Sequence, residues 1–94
     1  MTTRVVNLNR QAYDVRIDRR GPYGNSFVIG RDGDRATVIE KHMAHWRTLL
    51  ANPVTYQHAI ACLSYMKGKR LGCHCKPKSC QGDNYVQLIA EFCP

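Results

Sequence analysis

The fold is decided by residues 70–83, which read Arg70-Leu71-Gly72-Cys73-His74-Cys75-Lys76-Pro77-Lys78-Ser79-Cys80-Gln81-Gly82-Asp83. The first four predict a short strand, and Asp83 is a good cap for the apolar helical pattern that follows. Because this strand comes after two predicted helices, it can pair in parallel with an N-terminal strand through a right-handed crossover. Ligands of such sheets collect at the carboxyl ends of strands and at helix N-termini, where the loop 74–82 is expected to lie.

The elements before this stretch are predicted from apolar periodicity. Residues 5–8 and the alternating residues 13–17 indicate two strands, and residues 27–29 an optional third. Thr37 and Glu40 form a capping box that predicts the start of the first helix. Three apolar stripes at helical spacing comprise Ile39, Met43, Trp46 and Leu50, then Tyr56, Ala59, Ile60, Leu63 and Met66, then Tyr85, Val86, Leu88, Ile89 and Phe92. The prediction is one α/β domain over residues 1–94, with a mixed or partly parallel sheet, three helices and the order β-β-(β)-α-α-β-loop-α.

Composition favours a basic globular domain. The chain has 94 residues, of which 44% are apolar and 22% charged, and this suits one modest core. Its net charge of +7 favours an anionic partner such as a nucleotide, a nucleic acid or an acidic protein face. No 18-residue apolar run and no signal-peptide region are found, so no membrane association is expected. We expect a cytoplasmic protein, in the host cytoplasm if it is phage-encoded, with reduced cysteines.

The loop 74–82 combines thiols with positive charge, which suggests an anion or nucleotide site. Five cations and no acidic residue lie between Met66 and Gln81. A strand, a loop with Gly and Pro, and a helix N-terminus together form a common phosphate receptor. A second Gly-rich loop at residues 21–25 is expected to form the opposite wall, and Arg19 and Arg20 beside it either contact phosphate or form a solvated turn. The predicted ligand-binding residues are Tyr23, Gly24, Asn25, Lys76, Lys78, Cys80, Gln81, Gly82 and Asp83.

Three other interpretations of this loop stay open. Cys73, Cys75 and Cys80 could hold a zinc ion, although no fourth ligand is obvious. Cys80, near a helix N-terminus and among lysines, could be a catalytic nucleophile, although no base with an orienting partner accompanies it. Alternatively, the cysteines are buried as small hydrophobic residues and the protein acts through its surface on a host protein. His42 and His45 are expected to flank the first apolar stripe rather than to bind metal.

The segment from Gly72 to Asp83 resembles an uncharacterised domain family of small phage and bacterial proteins, a domain of unknown function, with the approximate signature G-C-x-C-x-P-x-x-C-H-G-D. Further blocks resemble the family: Val5-Val6-Asn7, Tyr13-Asp14-Val15, Gly21-Pro22-Tyr23-Gly24-Asn25 with Phe27, and Gly68-Lys69. The resemblance implies a compact α/β domain and brings no activity. The chain departs from the pattern at Gln81 (usually His), His74 (often aromatic) and Ser26 (usually Pro). A role for residue 81 must therefore use its backbone or its side-chain amide and not an imidazole.

Overall fold

The structure, a computed structural model, describes residues 2–18 and 21–94. The predicted phosphate contact of Arg19 and Arg20 lies outside the described residues. The described residues form, in chain order, β1 (Arg4–Asn7), β2 (Val15–Arg16), α1 (Arg35–Ala51), α2 (Tyr56–Met66), β3 (Arg70–Cys73) and α3 (Gln81–Phe92). The predicted α/β class, helix number and element order are confirmed. In the described ranges, no helix combines the length and the apolar character needed to cross a membrane.

The optional strand at residues 27–29 is not formed. The backbone N–H of Phe27 donates to the Asn25 side chain at 2.9 Å, and that of Val28 donates to the Asp32 carboxylate at 2.7 Å. These donors are used by nearby side chains, so they do not join a sheet ladder.

The sheet is parallel, with β3 in the centre and the order β1-β3-β2. Arg4 pairs with Arg70, and Val15 pairs with Leu71. The ladder continues past the end of β2, where the N–H of Ile17 donates to Gly72 at 2.9 Å. The carboxyl ends of β2 and β3 therefore lie side by side, as expected of parallel neighbours.

Helix α1 begins earlier than the sequence predicts. Asp34 is the N-cap, and its carboxylate accepts from the Thr37 N–H at 2.8 Å, so Thr37 lies inside the helix and does not cap it. The predicted capping box of Thr37 and Glu40 is therefore wrong. The buried stripe keeps the predicted Trp46 and Leu50, but Val38 and His42 take the places expected for Ile39 and Met43. His42, expected at the boundary, is only 4% exposed.

Helix α3 is capped by a cysteine. The Cys80 sulfur accepts from the Gly82 N–H at 3.3 Å, and Asp83 accepts from the Cys80 N–H at 3.3 Å. Asp83 was predicted as the cap. It is instead the residue three positions after the cap, whose side chain accepts from the backbone N–H of the cap residue. Gly82 brings the helix against the sheet, since a Cβ there would lie 2.7 Å from the side chains of Ile17 and Val5.

Gly82→Ala is expected to lower the free energy of unfolding by about 1–3 kcal/mol, because the added methyl overpacks this helix-to-sheet contact. Urea unfolding followed by circular dichroism measures the change. Gln87→Ala, on the exposed side of the same helix, is the matched control and is expected to stay within about 0.5 kcal/mol of wild type. Equal stability of the two variants would show that Gly82 makes no close contact.

Candidate functional site

A pocket with a cavity volume of about 350 Å³ opens beside the carboxyl ends of β2 and β3 and the N-terminus of α3. Its floor is formed by three lining residues at the end of β3 and the start of α3, each at least nine-tenths buried: Cys73, Cys80 and Gln81. Its apolar wall consists of Phe27, Ile29, Val38 and Ile39. The remaining lining residues are Asp18, Asn25, Arg35, His74, Cys75 and Ser79.

Two thiols meet on the floor. The sulfurs of Cys73 and Cys80 lie 3.2 Å apart, and each residue is 1% exposed. Cys73 ends β3 and Cys80 caps α3, so the strand-to-helix turn brings residues seven apart in sequence into contact. One sulfur must donate its proton to the other at this distance, which couples the two titrations.

Pairing separates the pKa values of the two thiols. The hydrogen bond with Cys80, nearby backbone N–H groups and the charge of Lys76 lower the pKa of Cys73. The pKa of Cys80 is raised, because it is the donor to Cys73 and because it is buried. Cys80, the candidate nucleophile from the sequence, therefore has the raised pKa of the pair, and Cys73 has the lowered one.

A buried carboxylate on the pocket wall is already neutralised. Asp18 is 8% exposed and accepts from the Arg16 guanidinium at 2.6 and 2.8 Å. His74 Nε2 donates to the same carboxylate at 2.8 Å, while its Nδ1 faces the Asn9 amide at 3.1 Å. Both ring nitrogens of His74 are engaged, so this histidine is not free to act as a base for the thiols.

Three further polar side chains line the pocket. Arg35 donates to the Ser79 carbonyl at 3.1 Å through one guanidinium nitrogen. The Asn25 amide donates to the Val38 carbonyl and accepts from the Phe27 N–H, so it links two residues of the apolar wall. Gln81 donates its Nε2 to the Ile17 carbonyl at 2.7 Å, and its Oε1 accepts from none of the described residues. The Gln81 oxygen and the rest of the Arg35 guanidinium are thus the groups available to a ligand.

Of the nine predicted ligand-binding residues, Asn25, Cys80 and Gln81 line this pocket. Lys76 faces a separate hollow of about 320 Å³ beside β1 and is paired with Asp83 at 3.0 Å. Lys78 is exposed on the loop. The cations that suggested an anion site in the sequence therefore do not line the pocket.

The Gly-rich loop at residues 21–25 enters the pocket only at its end. Tyr23 packs against the rings of Tyr65 and Tyr85, with ring centroids 6.5 and 6.2 Å away. Gly24 makes a turn by donating its N–H to Gly21 at 3.4 Å. Both residues shape the loop and lie outside the pocket lining, as does Gly82.

The described residues contain no group of three or more His, Cys, Asp or Glu side chains placed to hold a metal ion. Cys75 lines the pocket but does not join Cys73 and Cys80 in such a group. The structure therefore does not assemble the predicted zinc site of three cysteines.

The sequence interpretation missed Asp18, Arg35 and the apolar wall. A signal existed for Asp18, because it directly follows the alternating pattern of residues 13–17 and so lies at the carboxyl end of a predicted strand. Arg35 and the wall carry no local signal, since they reach the pocket only through the packing of α1 and of the segment before it.

Comparison with known proteins identifies the family. The chain belongs to the family described as a domain of unknown function (DUF4326), whose model matches residues 2–91. It is similar to an uncharacterized 12.4 kDa protein in the nrdA-td intergenic region of Enterobacteria phage T4, with 36% identity over 88 residues that cover 92% of this chain and 76% of that protein. No solved structure matches significantly. The resemblance to a phage-related family of small uncharacterised proteins is confirmed.

Proposed function

We propose that the protein binds a small anionic ligand of the nucleotide class in the pocket at the carboxyl end of its sheet. The observation that carries this proposal is the pocket itself, a cavity of about 350 Å³ beside two parallel strands and a helix N-terminus. Small-molecule sites have volumes of about 300–1,000 Å³ and favour this edge of parallel sheets.

The apolar wall suits a flat, weakly polar group such as a nucleobase. Phe27 and Ile29 come from the segment before α1, and Val38 and Ile39 from its first turns. A base placed against this wall would bring its edge toward the floor, where the free Oε1 of Gln81 can accept from an exocyclic amino group. This gives residue 81 the amide role that the sequence left open.

Charge in the pocket favours an anion near Arg35. The Asp18 carboxylate is neutralised by Arg16, which leaves the half-buried Arg35 as the lining cation without a carboxylate partner among the described residues. Since the Ser79 carbonyl holds one end of the guanidinium, its remaining N–H groups can donate to phosphate oxygens. The floor residues Cys73, Cys80 and Gln81 include no cation, so the phosphate is assigned to Arg35 and not to the floor.

Isothermal titration calorimetry with nucleoside mono-, di- and triphosphates tests the proposal, with the matching nucleosides and inorganic phosphate titrated in parallel. We expect at least one nucleotide to bind with a submillimolar Kd, and Arg35→Glu to weaken it about tenfold or more. Glutamate in the first turn of α1 favours the helix, so the fold is expected to persist.

Lys78→Glu is the matched control, because Lys78 is an exposed loop cation outside the pocket. It has the same change in net charge and is expected to alter Kd less than threefold at 0.15 M salt. Equal losses in the two variants would point to non-specific attraction by the net charge. No heat from any nucleotide at millimolar concentration would refute the proposal. Binding to a host protein or to nucleic acid stays a separate prediction.

A further inference from the structure

We propose that Cys73 and Cys80 form a redox-active dithiol, which a small hydroperoxide entering the pocket oxidises to a disulfide. The proposal stands on the geometry of the two thiols and does not depend on a nucleotide ligand. It assigns a chemical reaction to the floor of the pocket, where the proposed function assigns only binding.

The distance between the sulfurs fits a disulfide better than a shared metal ion. They are 3.2 Å apart as free thiols, and a disulfide bond requires an approach of about 1.2 Å more. Two thiolates on one tetrahedral zinc would be about 3.8 Å apart, given zinc–sulfur bonds of about 2.3 Å. The pair is therefore already closer than a common metal ligand set would hold it.

Access to the pair is limited to small molecules. Both residues are 1% exposed, so bulky reagents and other proteins are excluded, yet both line a pocket that is open to solvent. The other cysteines lack this arrangement: Cys62 contacts His58, and Cys93 contacts the Ser64 hydroxyl. Cys75 lines the same pocket and has no sulfur partner among the described residues, which makes it the internal control.

The groups around the pair favour one thiolate with one thiol. The titratable or charged side chains that act on it or line the same pocket are Lys76, Asp83, Asp18, His74, Cys75 and Arg35. Asp83 is paired with Lys76 and Asp18 with Arg16, so neither acid leaves an unbalanced charge beside the sulfurs. The hydrogen bond with Cys80 lowers the pKa of Cys73, which favours the thiolate form at that sulfur.

The reaction has two steps. The Cys73 thiolate attacks the terminal oxygen of the hydroperoxide, an S–O bond forms, the O–O bond breaks, and the alkoxide takes a proton from solvent and leaves as an alcohol. Cys80 then attacks the sulfur of the resulting sulfenic acid, an S–S bond forms, the S–O bond breaks, and the hydroxide leaves as water with the proton of Cys80. Two electrons pass from the two thiols to the peroxide, which is the oxidant.

The test treats the reduced protein with hydrogen peroxide at pH 7 and examines it by mass spectrometry without reductant. We expect a mass loss of about 2 Da and a peptide link between Cys73 and Cys80, both reversed by a dithiol. Cys75→Ser is expected to behave as wild type. Cys80→Ser keeps a hydroxyl that can donate to Cys73 and accept from Gly82, so it should fold and stop at a sulfenic acid that reacts with dimedone.

The pH dependence in the unmodified chain gives a readout that needs no variant. Because the pKa of Cys73 is lowered, the rate of disulfide formation is expected to rise less between pH 7 and pH 8.5 than the rate of glutathione oxidation, which rises about tenfold or more. Two results would overturn the proposal: a mass gain at Cys75, Cys62 or Cys93 without the Cys73–Cys80 link, or a link whose rate follows that of glutathione.

Discussion

Acidification from pH 7 to pH 4.5 is expected to lower the free energy of unfolding by about 2 kcal/mol through His42 alone. Burial is the main cause, with a smaller contribution from the charge of His45, and it lowers the pKa of His42 to about 4 from an ordinary value of 6.5. No carboxylate contacts the imidazole among the described residues, so nothing compensates a buried imidazolium.

The hydrogen bonds of His42 fix a neutral ring. Tyr85 donates its hydroxyl proton to the Tyr23 carbonyl at 2.7 Å, so its oxygen is left to accept from His42 Nε2 at 3.1 Å. The Asn84 amide points its Nδ2 at His42 Nδ1, also at 3.1 Å, and donates to it. Protonation of Nδ1 would place its N–H opposite the Asn84 N–H in a buried site, where neither donor has an acceptor in the other. This is a second reason for the neutral form of His42.

The sign of the effect follows from the proton balance. Between pH 6.5 and about pH 4 the unfolded chain binds a proton at His42 that the folded chain does not, so stability is present above pH 6.5 and is lost as pH falls. The lowered pKa values of Asp32, Asp34 and Glu91 affect stability mainly below the ordinary carboxyl values of 3.8 and 4.5. The lowered pKa of Cys73 contributes stability that is present above its ordinary value of 9 and is lost as pH falls through its lowered pKa.

Urea unfolding at half-unit pH steps from 7 to 4.5 measures this loss. His42→Gln keeps an amide that can hydrogen-bond in the same site but does not titrate, and it is expected to remove most of the slope. The exposed His45→Gln is the control and should keep the slope of wild type. A wild-type curve that is flat in this range, or a slope that His45→Gln abolishes, would contradict the assignment to His42.

The fold was largely accessible from the sequence because its signals are local. The strand at residues 70–73 and its position after two helices predicted parallel pairing, and the central β3 confirms it. Apart from the optional strand at residues 27–29, which is not formed, the errors fall at helix starts. Thr37 and Asp83 were predicted as the N-caps of α1 and α3. The residues that cap these helices, Asp34 and Cys80, lie three positions earlier in each case. A cysteine as N-cap is not expected from capping preferences.

The site was less accessible because it depends on packing between distant elements. The sequence placed the loop 74–82 correctly beside a helix N-terminus, but it could not show that Lys76 turns toward Asp83 and away from the pocket. Spacing also gave no sign that Cys73 pairs with Cys80 while Cys75 does not. Arg35, more than thirty residues before the loop, reaches it only because α1 packs against α3.

Tyr85→Ala is expected to lower the free energy of unfolding by about 3–5 kcal/mol, the largest effect of any single change considered for this chain. The Tyr85 ring is 1% exposed and meets Trp46 and His42 edge to face, with ring centroids 5.4 and 5.0 Å away. Removing it opens a cavity where α1 and α3 pack together, and it strips the polar partners from His42 and from the Tyr23 carbonyl.

Tyr65→Ala is the matched control, since it removes the same ring from a side chain that is 53% exposed. It loses the stacking on Tyr23 and the contact with the Lys69 ammonium, together about 1 kcal/mol or less. Urea unfolding of both variants at pH 7 gives the comparison, and similar losses would show that Tyr85 is not a core residue.

Tyr85→Phe separates the hydroxyl from the ring. It keeps the aromatic contacts and is expected to cost about 1–3 kcal/mol, because His42 Nε2 and the Tyr23 carbonyl lose their partner. The Tyr23 carbonyl lies two residues before Asn25, which lines the pocket, so the same change should loosen this wall. Faster amide hydrogen exchange at residues 21–27 in Tyr85→Phe, but not in Tyr65→Phe, is the expected result. Unchanged exchange would mean that Asn25 holds the wall without help from Tyr85.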